Sequence, residues 1–228
     1  ELPGTDKRLA KELMYVSGHV DAVRDTVGAN DDASGTVFMM EVARLLRETP
    51  LRRTVRFVGY GVEERLSVGA YRHYQNRARN GMAAAVFGYN ADSCGAKLGV
   101  NRLTVTGPAA LERLTRKLIQ QTGYVSNVES CVTPYSDQFA LNMLGVPTLW
   151  VHRVTNTSGD WCFHSTHDNL NAVDAGKIAE QAAFAAEMLR AIDGAKTLPF
   201  EVKLPPAQWK EVAALARQLI GIDLKPRG

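Results

Sequence analysis

Short apolar runs alternate along the chain with longer stretches in which apolar residues return every three or four positions, so strands and helices are expected in turn. Leu13-Met14-Tyr15-Val16-Ser17 is a β-prone run ended by Gly18 and followed by a loop rich in Asp, Gly and Asn, which predicts a buried strand. From Ala33 the period changes. Val37, Met40, Ala43 and Leu45 separate from Glu41, Arg44 and Arg47 on a helical wheel until Pro50 stops the run. The cycle repeats with a strand over 54–59, a helix over 67–78 and a strand over 83–88. A strand over 102–106, a helix over 109–122, a strand over 147–152 and a long helix over 174–192 follow. The pattern predicts an α/β fold: a three-layer sandwich with a mostly parallel, mixed central sheet covered by helices on both faces.

After Gly194 the composition shifts to Leu198-Pro199-Phe200 and Leu204-Pro205-Pro206, and a last amphipathic segment runs over 209–220. It is expected to pack on the core as a tail helix, because an apolar stripe at this spacing usually buries itself at home. The chain therefore divides into a main domain, 1–194, and a C-terminal tail, 195–228. The arginines Arg44, Arg47, Arg52, Arg53 and Arg56 are expected to line a solvated helix end and strand face.

Composition narrows the classes of function. The 228 residues, 45% of them hydrophobic, suffice for one sizeable core. Twenty-seven basic against 24 acidic residues leave a net charge of +3, too small an excess for a nucleic-acid footprint. No apolar run approaches the roughly 20 residues of a membrane helix. Cys94, Cys131 and Cys162 include no C-x-x-C pair, so neither a thiolate zinc site nor a disulfide framework is indicated, although one bridge is compatible with three cysteines. The chain opens on Glu1 rather than Met, which leaves room for a removed export signal. The compartment stays open, with secreted or periplasmic slightly favoured.

Polar clusters at strand ends carry the chemistry, since open α/β sheets gather functional groups there. The first strand leads into His19-Val20-Asp21, and Gly28-Ala29-Asn30-Asp31-Asp32-Ala33-Ser34-Gly35 stands directly before a helix. The second strand leads to Glu63-Glu64, the third to Asp92, and Phe163-His164-Ser165-Thr166-His167-Asp168 precedes the long helix. Taken singly, Asp31, Asp32 and Ser34 read as helix caps, Glu63-Glu64 as a solvated loop and Asp92 as a turn residue. Together, imidazoles and carboxylates without a thiolate suit a dinuclear divalent-metal site. His73, His152 and His167 fall outside the set and are expected at the surface or in the core.

In this order the motifs resemble those of the M28 metallopeptidases, over residues 13 to about 190. The resemblance implies a metallopeptidase catalytic domain in residues 1–194 and a peptide substrate, with no nucleic acid or membrane as partner. It implies two Zn²⁺ ions: His19 and Asp92 on one, Glu64 and His164 on the other, and Asp31 bridging. Mn²⁺ or Co²⁺ are possible substitutes in so carboxylate-rich a site. Glu63 falls on the general-base position, and Asp21 on that of the carboxylate that fixes the His19 ring. Paired zinc ions lower the pKa of bound water to about 7, so a metal-bridging hydroxide is the expected nucleophile, with Glu63 moving its proton.

The chain departs from the family in two places. Some members have a tyrosine where this chain has Phe163, and Tyr135, beside Ser136-Asp137, is the candidate to supply that hydroxyl to substrate. The family fold also usually has further elements ahead of the first ligand strand, so either an N-terminal extension or a second copy of the chain is expected to cover the sheet edge. Among activities, an aminopeptidase is the first expectation. A carboxypeptidase or dipeptidase would need a cation such as Arg153 in the cleft. A glutaminyl cyclase with one zinc and a metal-free receptor-like relative rank lower, because the chain keeps Asp31 to Gly35 and every ligand type.

Overall fold

The computed structural model describes residues 1–154 and 162–225; the last three residues of the predicted tail, 226–228, lie outside the described residues. Six strands form one sheet: β1 (Leu13–His19), β2 (Thr54–Tyr60), β3 (Ala85–Ala91), β4 (Val100–Thr106), β5 (Asn127–Ser130) and β6 (Thr148–Val154), in the order β2-β1-β3-β6-β4-β5. All neighbours are parallel except β4 and β6, which pair antiparallel from Val100↔Val154 to Thr106↔Thr148. The sheet is thus mostly parallel and mixed, as the periodicity predicts.

Helices cover both faces: α1 (Ser34–Arg47), α2 (Val68–Gln75), α3 (Arg77–Asn80), α4 (Ala109–Thr122), α5 (Gln138–Asn142), α6 (Ala175–Gly194) and α7 (Pro206–Ile220). Every residue of β1 is buried, and alternate side chains serve two cores. Met14 and Val16 join Phe38, Val42, Leu118, Phe184 and Leu189 of α1, α4 and α6 on one face. Leu13 and Tyr15 join Tyr71, Phe139, Val212 and Ala216 of α2, α5 and α7 on the other. Two-sided burial explains why β1 reads as a continuous apolar run. Helix α7 belongs to this second core, with Val212 and Ala216 fully buried. No described helix is long and apolar enough to cross a membrane.

The predicted 67–78 helix divides at Asn76, whose side-chain amide donates to the Arg72 carbonyl at 2.9 Å and ends α2. Such local side-chain bonds compete with helix continuation. Strand β3 begins at Ala85 because Met82–Ala84 form a 3₁₀ turn. Strand β5 and helix α5 escape prediction: Asn-Val-Glu-Ser has one apolar residue, and five residues are too few to show a helical period.

One expectation about the β2 side changes, that of a solvated Arg53. The outer edge of β2 is met at one end by the chain's own beginning, where Leu2 exchanges two backbone hydrogen bonds with Val55 at 2.9 and 3.0 Å. Arg53, expected in solvent, is 2% exposed, because Glu12 accepts from its Nε at 2.7 Å and Asp193 lies 3.5 Å from its Nη1. Asp193, at the end of α6, also accepts from the backbone amides of Arg52 and Arg53 at 2.9 and 3.0 Å. Removing one partner of a buried ion pair strands the other charge. Asp193→Ala is therefore expected to cost about 3 kcal/mol of unfolding free energy, measured by urea denaturation. A loss near that of an exposed carboxylate would show that Glu12 alone satisfies Arg53.

Candidate metal centre

Strand β1 lies between β2 and β3, all three parallel, so their carboxyl ends open side by side. His19 is the last residue of β1 and fully buried. Asp31 and Asp32 sit in the turn before α1, Glu63 and Glu64 open a 3₁₀ turn after β2, and Asp92 follows β3. His164 enters from the segment preceding α6, with φ 54° and a side chain 43% exposed.

The structure brings these residues together around Asp31. One Asp31 oxygen lies 3.0 Å from His19 Nε2 and the other 3.2 Å from His164 Nε2. Glu64 Oε2 lies 3.1 Å from His164 Nε2, and Asp92 Oδ1 3.8 Å from His19 Nε2. Donor atoms of His19, Asp31 and Glu64 fall within 4.8 Å of one another, and so do those of His19, Glu63 and Asp92. Glu63 Oε2 is 3.9 Å from His19 Nε2, as near to that ring as Asp92, while Ser67 Oγ donates to its other oxygen at 2.9 Å. The donor set is imidazole and carboxylate without thiolate, and Glu64 Oε1 is buried with no protein partner among the described residues. Such donors fit divalent metal.

Asp21 holds the site at two points. Its main-chain carbonyl, 3.0 Å from His19 Nδ1, orients the ring, while the carboxylate lies 3.6 Å away. A carbonyl only accepts, so Nδ1 donates and Nε2 faces Asp31. The Asp21 carboxylate instead accepts from the backbone amides of Glu63 and Glu64 at 3.0 and 3.3 Å. These amides open a 3₁₀ turn and lack a carbonyl partner within it.

Further positioning groups come partly from the same motifs and partly from ordinary strand residues. Asp32 accepts from Gly35 N, in the first turn of α1, at 2.8 Å, and from His19 N and Ser93 N at 3.0 and 3.1 Å. The Asp31–Asp32 peptide is cis. Asp168 accepts from the amides of Asn30 and Asp31 at 2.7 and 3.0 Å. A buried chain runs Ser17 Oγ to Asn90, Asn90 to Ser136 Oγ and Ser136 Oγ to Asp92 Oδ2, at 2.5, 2.8 and 2.6 Å. Ser136 adjoins Tyr135 in a segment that the sequence already singles out. Ser17 and Asn90 look like ordinary strand residues, and only the sheet register aligns them.

Crowded carboxylates in a desolvated space resist ionisation. Burial raises Asp31, Asp32 and Glu64 above the ordinary carboxylate range, and neighbouring charges add to it. Glu63 is pushed up to about 7 by burial and then by the Asp92 charge. For His19 burial opposes the charged ring, but hydrogen bonds to Asp31 and Asp92 outweigh it and the pKa is raised. Asp92 is lowered: burial opposes its charge, and the His19 contacts prevail. A proton on His19 Nε2 answers the carboxylates where a metal cation would.

The cluster forms one wall of a cavity of about 770 Å³, whose lining is mainly apolar and includes Leu66, Leu98, Trp150 and Phe163. Tyr135 is on its rim, 77% exposed, and Phe163 stacks on the His164 ring with centroids 3.7 Å apart. His152 also lines it, stacked on Trp150 at 4.0 Å and pushed down to about 4 by burial. Arg153 is only 7% exposed, its guanidinium donating to the carbonyls of Ala96 and Gly99 and to the Asn101 side chain.

The family model described as Peptidase family M28 matches residues 1–189. Aminopeptidase YwaD of Bacillus subtilis is 32% identical over 84 residues, 37% of this chain and 18% of the relative. Human carboxypeptidase Q is 36% identical over 73 residues, 31% of this chain and 16% of the relative. The structure of BSAP, a zinc aminopeptidase from Bacillus subtilis, superposes with a TM-score of 0.73 at 19% identity, covering 91% of this chain and 52% of that one. The chain thus spans about half the length of the solved relative, and the matched stretches are under a fifth of the curated ones.

The raised groups set a pH dependence of stability. Between the ordinary carboxylate value of 4.5 and about 7, folded Glu63 keeps a proton that the unfolded chain releases. Above 6.5 the same holds for His19. Where the folded state binds more protons, stability falls as pH rises. In chelator, the thermal midpoint is expected to drop from about pH 5.5 to about pH 8, with added zinc raising it most at the higher pH. A midpoint that climbs over this range without metal would contradict the raised values of Glu63 and His19.

Proposed function

The chain belongs to peptidase family M28, and on that premise we propose that it hydrolyses the peptide bond at a chain terminus as a two-zinc aminopeptidase. The observation that carries the proposal is the Asp31 carboxylate, which offers one oxygen to each of two imidazoles at 3.0 and 3.2 Å. That geometry suits a carboxylate shared between two ions. His19 and Asp92 would hold one ion and Glu64 and His164 the other, with Mn²⁺ or Co²⁺ able to replace zinc. When bound, such a pair supplies a water nucleophile at neutral pH and polarises the scissile carbonyl.

Within this proposal the chain's own residues do the rest. Ser67 holds one Glu63 oxygen and leaves the other facing His19, where a proton from water can be received and passed to the leaving amine. Asp21 sets the spacing between His19 and Glu63 by bonding to both sides of the gap. Ser136 holds the Asp92 carboxylate toward the centre, and Asp32 fixes the His19 backbone. Tyr135, at the rim, is assigned to substrate binding.

The carboxylates of the centre favour an amine at the cleaved end. Arg153, one cation that could pair with a terminal carboxylate, is engaged by three acceptors and is not free for that role. The proposed catalytic domain, 1–194, also borrows from the tail, since Leu219 of α7 lines the cavity.

The test separates base from ligand. Glu63→Gln and Glu63→Ala are expected to retain two metals per chain by elemental analysis, while kcat/KM on aminoacyl anilides falls by a factor on the order of 100 to 10,000. Loss of one metal in both variants would make Glu63 a ligand, and unchanged hydrolysis would remove it from the chemistry.

A further inference from the structure

Lys97 stands in the loop between β3 and β4, and it lines the same cavity as Asp31, Glu63 and Asp92. The backbone at this point is tied on two sides. Gly95 N donates to Asn30 Oδ1 at 2.9 Å, Lys97 N donates to the Ala172 carbonyl at 2.9 Å, and Ala96 bridges Val173. The loop therefore holds the base of the Lys97 side chain in a fixed place relative to the turn that carries Asp31.

The ammonium itself is uncommitted. The Lys97 residue is exposed and lines the cavity, and its side chain makes no hydrogen bond or ion pair with any described residue. Arg153, the other lysine or arginine among the described lining residues, is saturated by protein acceptors. The four carboxylates among the described lining residues, Asp31, Glu63, Glu64 and Asp92, belong to the candidate metal centre. Among its described residues the cavity thus combines a carboxylate-rich cluster, a mainly apolar lining and one positive charge without a protein partner. Its volume of about 770 Å³ falls in the range of small-molecule pockets.

We propose that Lys97 binds the carboxylate of a short peptide whose amine lies at the metal centre, so that di- and tripeptides with a free C-terminus are the preferred substrates. This rests on the aminopeptidase reading and adds the far end of the substrate to it. For a dipeptide, the bond beside the amine is also the bond beside the carboxylate, so one site with two charged ends serves both.

The test compares Leu-Leu with Leu-Leu-amide and Leu-Asp-amide on the zinc-loaded full chain. Wild type is expected to prefer Leu-Leu over its amide about tenfold in kcat/KM, chiefly through KM. Lys97→Met and Lys97→Gln are expected to bring that ratio to about one, and Lys97→Arg to restore most of it. An unchanged ratio in Lys97→Met, or no preference in wild type, would overturn the proposal. Turnover of Leu-Asp-amide at the Leu-Leu rate would transfer the carboxylate to a substrate side chain and overturn the terminal assignment. Failure of the aminopeptidase reading shows separately, as absent hydrolysis of leucine anilide. In that event calorimetry with the reduced-bond analogue Leu-ψ[CH₂NH]-Leu and its amide decides on Lys97 alone: equal affinities would overturn it, and a preference lost in Lys97→Met would sustain it.

Discussion

Repulsion among carboxylates crowded around one buried imidazole is the interaction to which the surrounding structure answers. Asp31, Asp32, Glu63 and Asp92 all approach or influence His19, which is itself fully buried. In so dry a place like charges push one another's pKa values upward. The fold meets this by donating backbone amides: Asp32, Asp168 and Asp21 each accept two or more from loops that end strands or begin helices. Carboxylates that are not aimed at the centre thus become the joints that hold those that are.

Much of the fold is legible in the sequence because burial and period coincide. Strand β1 is buried on both faces and reads as an uninterrupted apolar run, while α4 separates its faces so cleanly that its ends, Ala109 and Thr122, are those predicted. The illegible parts are those whose stability comes from elsewhere in the chain. Strand β5 has little apolar content and exists through its pairing with β4, and α5 is held by burial in the second core rather than by its own length. The burial of Arg53 escapes the sequence for the same reason, since its partners Glu12 and Asp193 lie 41 and 140 positions away.

The candidate centre divides along the same line. His19, Asp31, Glu63, Glu64, Asp92 and His164 can be singled out because their residue types suit metal and they fall at strand ends and beside turns. Ser17 and Asn90 cannot, since a serine and an asparagine inside buried strands have no signature until the register of β1 and β3 pairs them. Asp21 is recognisable as a neighbour of His19, but which of its oxygens touches the ring depends on the path of the loop, and the carbonyl is the one that does.

Register carries a last consequence. A strand displaced by one residue turns its apolar side chains to the wrong face, so hydrophobic patterning forbids that error. A displacement by two residues preserves the faces and would leave both cores apolar, yet it would move a strand end by about 6.5 Å. The bonds from the Asp21 carboxylate to the Glu63 and Glu64 amides, across the parallel pairing that ends at His19↔Tyr60, span no such gap. They act as a vernier on the β1–β2 pairing, and so the polar residues grouped for chemistry also choose one alignment among those that the hydrophobic effect alone would leave degenerate.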